Sequence, residues 1–192
     1  MKVEKYHFSI RKQVLEYDDV VNRQREIIYG QRRDILETES LREQYLRLVE
    51  SAVVAIVEEH ASTEEASDDW DLGGLFRQLV TVFPVPETIT AETMQEVTYE
   101  ELKERLVTAG REAYEMKVVS LGEHAHQVEQ YIMLRALDNH WQRHLTDLDI
   151  LREGIGLMAI AQRDPLVEYK RSAFGMFGDM QDRIDAQAVS AI

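Results

Sequence analysis

Apolar residues in the first forty positions recur at helical spacing. Ile10, Val14, Tyr17, Val21, Ile28 and Ile35 are separated by 4, 3, 4, 7 and 7 residues, which sets them on one stripe of an α-helix. Arg, Lys, Gln, Asp and Glu fill the positions between them. The pattern predicts one long amphipathic helix over 10–36, with Gly30 a weak point costing about 1 kcal/mol relative to alanine. Ser40-Leu41-Arg42-Glu43 matches a capping box, and Leu41, Tyr45, Leu48, Ala52 and Ile56 carry a second helical face to about His60. A change of direction is expected near residues 37–40.

Residues 61–69, ASTEEASDD, are small, acidic and aperiodic, the composition of an exposed loop. A short helix is expected over 70–83, after Gly73-Gly74, with Leu75, Phe76, Leu79, Val80 and Phe83 as its apolar face. Pro84 and Pro86 stop it. Thr98-Tyr99-Glu100-Glu101 is a second capping box, opening a helix through Leu102, Leu106, Ala109 and Tyr114 to about Ser120. Residues 87–97 read equally as a short helix or a strand.

The longest pattern follows Gly122. Val128, Tyr131, Leu134, Leu137, Trp141, Leu145, Leu148, Leu151 and Ile155 predict a helix over 123–155, which would span ~50 Å. Gly154 and Gly156 are expected to end it, and Asp164-Pro165 to start another, faced by Leu166, Tyr169, Ala173, Phe177, Met180 and Ile184. Two such stripes joined by a short turn pack antiparallel as a helical hairpin. The turn, however, carries Leu157, Met158 and Ile160 where a hairpin in water normally uses Asn, Ser or Asp. Burying each such side chain is worth roughly 1.5–3 kcal/mol, so an exposed tip of this composition forgoes several kcal/mol unless it touches something.

Composition narrows the function classes. The chain has 192 residues, 44% hydrophobic and 30% charged, with a net charge of −14, the profile of a helical protein in water. A net charge of that sign argues against a nucleic-acid partner. No apolar run reaches membrane-spanning length, and MKVEKYHFSI lacks the features of a signal peptide. Cysteine is absent, which removes disulfides, thiolate metal sites and cysteine nucleophiles, and a cytoplasmic location is the simplest expectation. The charge is uneven: residues 39–121 carry 7 basic against 18 acidic side chains, whereas 1–38 carry 8 against 7. The middle segment thus reads as an insertion between two parts of one scaffold.

Several motifs imitate chemistry. GIGLMA at 154–159 fits G-x-G-x-x-A, but a helix precedes it where a dinucleotide site needs a strand. His140 and His144 in HWQRH have the i, i+4 spacing of a zincin helix, yet Trp141 stands where the glutamate base belongs. Surface or partner-contacting histidines are the better expectation, and His124 and His126 are expected to be solvated. Glu58-Glu59, Glu100-Glu101 and Asp18-Asp19 are adjacent on helices and do not face each other. No catalytic centre is evident, and the residues alone describe a helical interaction or scaffold module.

Three blocks carry a resemblance. IRKQVLEYDDVVNRQREIIYGQR (10–32), WDLGGL (70–75) and LRALDNHWQRHLTDLDILREGIGLMAIAQRDPLVEYKRSAFGMF (134–177) resemble, in order, the helical scaffold and wing domains of the SecA family, motor ATPases that drive preproteins through the bacterial Sec channel. The resemblance implies an all-α, elongated fold: a discontinuous scaffold of residues 1–38 and 122–192, with a long helix and a two-helix finger hairpin, and an inserted helical wing at 39–121. It implies a fragment with no catalytic residues, cofactor or metal of its own, ATP and Mg belonging to motor domains outside it. The implied partners are the nucleotide-binding and preprotein-binding domains of the same full-length protein, the Sec channel and the preprotein in transit, at the inner face of the plasma membrane. The finger tip would be Leu157, Met158, Ala159, Ile160, Ala161 and Gln162. The family commonly has Arg-Gly-Tyr or Arg-Ala-Tyr where this chain has Met158-Ala159-Ile160, so the implied contact is aliphatic. Arg11, Lys12, Tyr17, Asp18 and Asp19 are the implied residues of motor coupling, and Trp141 is either a further one or part of the helical core. Alone, the segment would expose an apolar stripe that favours self-association. A free-standing helical adaptor that binds partner helices is the alternative.

Overall fold

Stripes at helical spacing, with prolines only at 84, 86 and 165, bury their apolar residues by setting helix against helix. The computed structural model describes residues 2–63, 67–95, 97–158 and 164–192, with residues 2–13, 68, 95 and 156–158 in backbone only. Among the described residues it is all-α. Its helices are α1 (Lys2–Glu37), α2 (Arg42–His60), α3 (Leu72–Leu79), α4 (Ala91–Gln95), α5 (Tyr99–Leu121), α6 (Ala125–Met158) and α7 (Pro165–Ala191). Short 3₁₀ turns precede α3 and α6.

Helix ends show where local signals prevail and where packing overrides them. Thr98 forms its capping box: Thr98 Oγ1 accepts from Glu101 N at 3.3 Å, and Glu101 Oε2 accepts from Thr98 N at 2.9 Å. Those bonds from Thr98 hold the Glu101 carboxyl below the usual carboxylate range. The box expected at Ser40 does not form. Leu41 is buried and takes the N-cap position itself, Ser40 Oγ accepts from Arg42 N at 3.3 Å, and Glu43 pairs with Arg42 instead. Burial of a leucine side chain outweighs a cap of about 1 kcal/mol. Arg42 also grips Glu115 of α5 through two nitrogens.

The short helix starts at Leu72, so Gly73 and Gly74 lie inside its first turn rather than ahead of it. Its N-cap is Asp71, which accepts from Gly74 N at 2.8 Å. Within 87–97 the expected element is a helix and not a strand, and it covers only Ala91–Gln95: α4 opens at Thr90, whose hydroxyl accepts from Thr93 N, and it buries Met94. Gly154 and Gly156 do not end α6, which continues to Met158. A helical glycine costs about 1 kcal/mol but breaks nothing when its neighbours are packed, as buried Ile155 is here.

The chain divides into two compact units, Thr38–Ile132 with Asp185–Ile192, and Met1–Glu37 with Met133–Ile184. In the first, Tyr45, Val49, Val53 and Val57 of α2, Leu75 and Leu79 of α3, and Leu102 and Leu106 of α5 are buried. Gly110 of α5 sits so close to α2 that a Cβ there would lie 3.0 Å from Val49 Cγ1. Glu129, 3% exposed, is held in this core. Tyr114 Oη donates to its carboxylate, Tyr45 Oη donates to its backbone carbonyl at 3.0 Å, and the two rings stack 5.7 Å apart. Burial, then the adjacent Glu129 charge, drives both phenols well above the ordinary tyrosine range.

Candidate functional site

The second unit contains both sequence-derived sites and is a three-helix bundle of α1, α6 and α7. Residue pairing gives the directions. Asp18 meets Arg152 and Arg32 meets Asp138, so α1 and α6 are antiparallel; Tyr17 meets Tyr169 and Gln31 meets Gln181, so α1 and α7 are parallel. The stripe on α1 continues through the two gaps of seven. Its inward positions are 17, 21, 24, 28, 31 and 35, a 3-4 alternation in which Gln24 and Gln31 take the places an apolar residue would occupy.

Toward the loop end of the hairpin the bundle core is apolar. Leu148, Ile155, Tyr169 and Ala173 are buried together, with Tyr17, Val20, Val21, Leu151 and Met176 against them. Tyr17 and Tyr169 meet edge to face at 4.7 Å, the geometry that brings a ring edge onto a ring face. Arg152 closes this cluster from the rim: Nη1 lies 3.1 Å from Asp18 Oδ1, and the guanidinium stands 5.3 Å from the Tyr17 ring centroid. Tyr17 and Asp18 thus hold α1 to α6 and α7, whereas Asp19 pairs with Arg23 on the surface of α1 at 2.8 Å.

Next along the bundle is a polar layer inside the apolar stripes. Gln24, 7% exposed, donates from Nε2 to the Ala173 carbonyl at 3.0 Å, and its Oε1 lies 2.8 Å from His144 Nε2. With the amide nitrogen engaged, Oε1 can only accept, which assigns the proton of His144 to Nε2. His144, 2% exposed, is therefore an internal residue and not the surface histidine expected. The rings of Trp141 and Phe177 lie 5.7 and 5.8 Å from it. Trp141 is buried, so its indole belongs to this core. A second layer joins Gln31 and Gln181, which exchange amide hydrogen bonds of 3.1 and 3.3 Å. The signal for both layers was in the sequence, in the glutamines at the skipped positions.

Burial lowers the pKa of His144 below the ordinary imidazole value; Asp147 raises it and Arg183 lowers it further. His140, Arg143, Asp147 and Arg183 surround a cavity of about 30 Å³ beside the ring, enough for a water. The folded state takes up the proton less readily than the unfolded chain. Stability is therefore full above the unfolded histidine pKa of about 6.5 and falls as the pH drops from there toward the lower folded value. Thermal melts from pH 8 to pH 5 should show a decline that is shallower in His144→Gln, and equal slopes in the two proteins would remove His144 as its source.

The sequence-derived sites fall unequally on the described structure. The backbone of Arg11 and Lys12 lies in α1 and that of Leu157 and Met158 in the last turn of α6, while their side chains and all of Ala159, Ile160, Ala161 and Gln162 lie outside the described residues. Tyr17 meets Tyr169 of α7 and Asp18 meets Arg152 of α6, Trp141 is buried on α6 beside His144, and Asp19 stays on the surface of α1. Exposed apolar side chains remain on α1 at Leu15, Tyr29 and Leu36, spaced 14 and 7 residues apart, and on α7 at Val167 and Phe174.

Comparison with known proteins accounts for the whole chain. Residues 1–192 match the family described as SecA Wing and Scaffold domain. Among the similar proteins, the protein translocase subunit SecA of Caldicellulosiruptor saccharolyticus is 40% identical over 191 residues, covering 100% of this chain and 22% of that protein. That of Syntrophobacter fumaroxidans is 38% identical over 189 residues, covering 98% and 22%. The protein translocase subunit SecA 1 of Mycolicibacterium paratuberculosis is 42% identical over 200 residues, covering 98% and 21%. The chain thus spans about a fifth of the length of these relatives. It belongs to the SecA wing and scaffold family.

Proposed function

We propose that this chain is the mechanical and regulatory segment of a SecA-type protein-export motor. ATP binding and hydrolysis belong to domains outside it, and its scaffold transmits their motion to the tip of the α6–α7 finger. The tip, Leu157 to Gln162, presses on a preprotein at the mouth of the Sec channel, on the inner face of the plasma membrane. Arg11, Lys12, Tyr17, Asp18 and Asp19 couple the finger to the motor domains, and Trp141 contributes to that coupling from inside the bundle, through its packing beside His144. The observation that supports this reading is the brace at the loop end of the hairpin. There Tyr17 and Asp18 of α1 are fastened to Tyr169 of α7 and Arg152 of α6, so a displacement of α1 carries the hairpin with it.

In the full-length protein, Ile160→Gly should leave ATP binding intact and lower channel-dependent translocation several-fold, because it deletes one of the bulky aliphatic side chains of the tip sequence. Translocation at the unsubstituted rate would overturn a tip that works on substrate.

A further inference from the structure

We propose that Gln24, Gln31, His144 and Gln181 are positioning residues that set the axial register of α6 and α7 along α1. The inference rests on the reading of the hairpin as a force-transmitting finger and concerns how the finger is kept from slipping. The apolar stripes cannot fix the register by themselves. Tyr17, Val21, Ile28 and Ile35 on α1, and Tyr169, Ala173, Met176, Met180 and Ile184 on α7, repeat every three, four or seven residues. A slip of seven residues, ~10 Å along the axis, therefore sets apolar against apolar again.

The polar layers break that degeneracy, one for each neighbour of α1. A seven-residue slip of α6 brings Leu137 or Leu151 to Gln24, leaving its amide oxygen without a partner, and carries His144 either to Tyr17 or to Gln31, whose amide is already engaged with Gln181. A slip of α7 brings Phe174 or Ala188 to Gln31 in place of Gln181, breaking a half-buried amide pair, and carries Gln181 either past the end of α1 or to Gln24, whose amide is engaged with Ala173 and His144. Unpaired buried polar groups are penalised far more than paired ones contribute, which is how a single polar position specifies register in a helical bundle at some cost in stability. Ratcheting of one packed element past another by a helical turn is an established mode of conformational change. A finger that pushes on a chain has to resist it.

The test is carried out in the full-length protein with spin labels at Asn22→Cys and Asp149→Cys, which report α1 against α6, and at Asn22→Cys and Asp179→Cys, which report α1 against α7. All three sites are exposed. The unsubstituted bundle should give one distance population per pair. The variant Gln24→Leu, Gln31→Leu, His144→Leu, Gln181→Leu should keep its helix content, show a second population displaced by up to ~10 Å, and move several-fold less preprotein per ATP hydrolysed. Gln31→Glu with Gln181→Lys, which replaces the amide pair by a charged pair, should return the α1–α7 distance to one population. A single population in the four-site variant overturns the proposal. If that variant does not fold, Gln31→Leu with Gln181→Leu, whose sites are only half-buried, is read by the same criterion. Two populations with unchanged translocation would keep the register assignment and overturn the finger reading beneath it.

Discussion

Tyr169→Ala should destabilise the three-helix bundle by about 3–5 kcal/mol, the range for emptying a large aromatic site in a packed core. Tyr169 is 1% exposed and lies among Leu148, Ile155 and Ala173, with Tyr17 edge-on to its ring at 4.7 Å. Three consequences combine: the transfer free energy of the ring is lost, a cavity opens where all three helices meet, and Tyr17 loses its aromatic partner. Helices held from both sides cannot collapse into the space without shifting the polar layer at Gln24 and His144. Urea denaturation followed by circular dichroism should show the midpoint falling with little change in slope. Tyr169→Phe keeps the ring and should cost far less. A loss below about 1 kcal/mol for Tyr169→Ala would mean that this cluster does not hold the hairpin to α1. Because the same cluster carries the brace from α1, a translocation defect should accompany the loss in the full-length protein.

Gly74→Ala should cost about 2 kcal/mol in the helical unit of Thr38–Ile132 with Asp185–Ile192, the opposite sign from an ordinary glycine-to-alanine change in a helix. A Cβ at residue 74 would lie 2.1 Å from Asp71 Oδ2 and 2.6 Å from His60 Cε1. Neither can retreat without loss. Asp71 accepts the Gly74 N–H at 2.8 Å as the cap of α3, and its other oxygen lies 3.3 Å from His60 Nδ1. The Gly74 bond, with His60 and Arg77 adding to it, holds the Asp71 carboxyl below its ordinary range. Asp71 N also donates to the His60 carbonyl at 3.0 Å, so the same residues fasten α3 to the end of α2. Gly73→Ala is the control. Its Cβ would meet nothing closer than 3.4 Å, and its effect should lie between neutral and a stabilisation of about 1 kcal/mol. Equal melting temperatures for the two variants would rule out a steric requirement at residue 74.

The second glycine of WDLGGL is thus explained by an aspartate three residues earlier and a histidine that only the fold brings beside it. The same division runs through the molecule. Helical periodicity and the prolines were enough to read the all-α class and the long helices, because an amphipathic stripe repeats at the period of the element it builds. The Thr98 cap was legible because both partners lie within four residues. The Ser40 box was not, because it competes with burial of Leu41, a tertiary quantity. For the same reason Gly154 and Gly156 looked like a helix end: their propensity is local, while the packing of Ile155 that carries α6 past them is not.

In the candidate site the split follows the range of the interaction. The apolar composition of the hairpin turn, the stripes of α1, α6 and α7, and the blocks that mark the family were all in the sequence. The polar residues inside the bundle were visible only as gaps of seven in an apolar stripe. The partners of Gln24, at Ala173 and His144, lie 149 and 120 residues away, and a hydrogen bond over that separation leaves no local pattern. Sequence by itself determined which faces of which helices turn inward, since that depends on the order of side chains along one helix. Tertiary structure decided which helix each face meets, at what register, and which polar side chains are buried with a partner, because those depend on groups that only folding brings within reach.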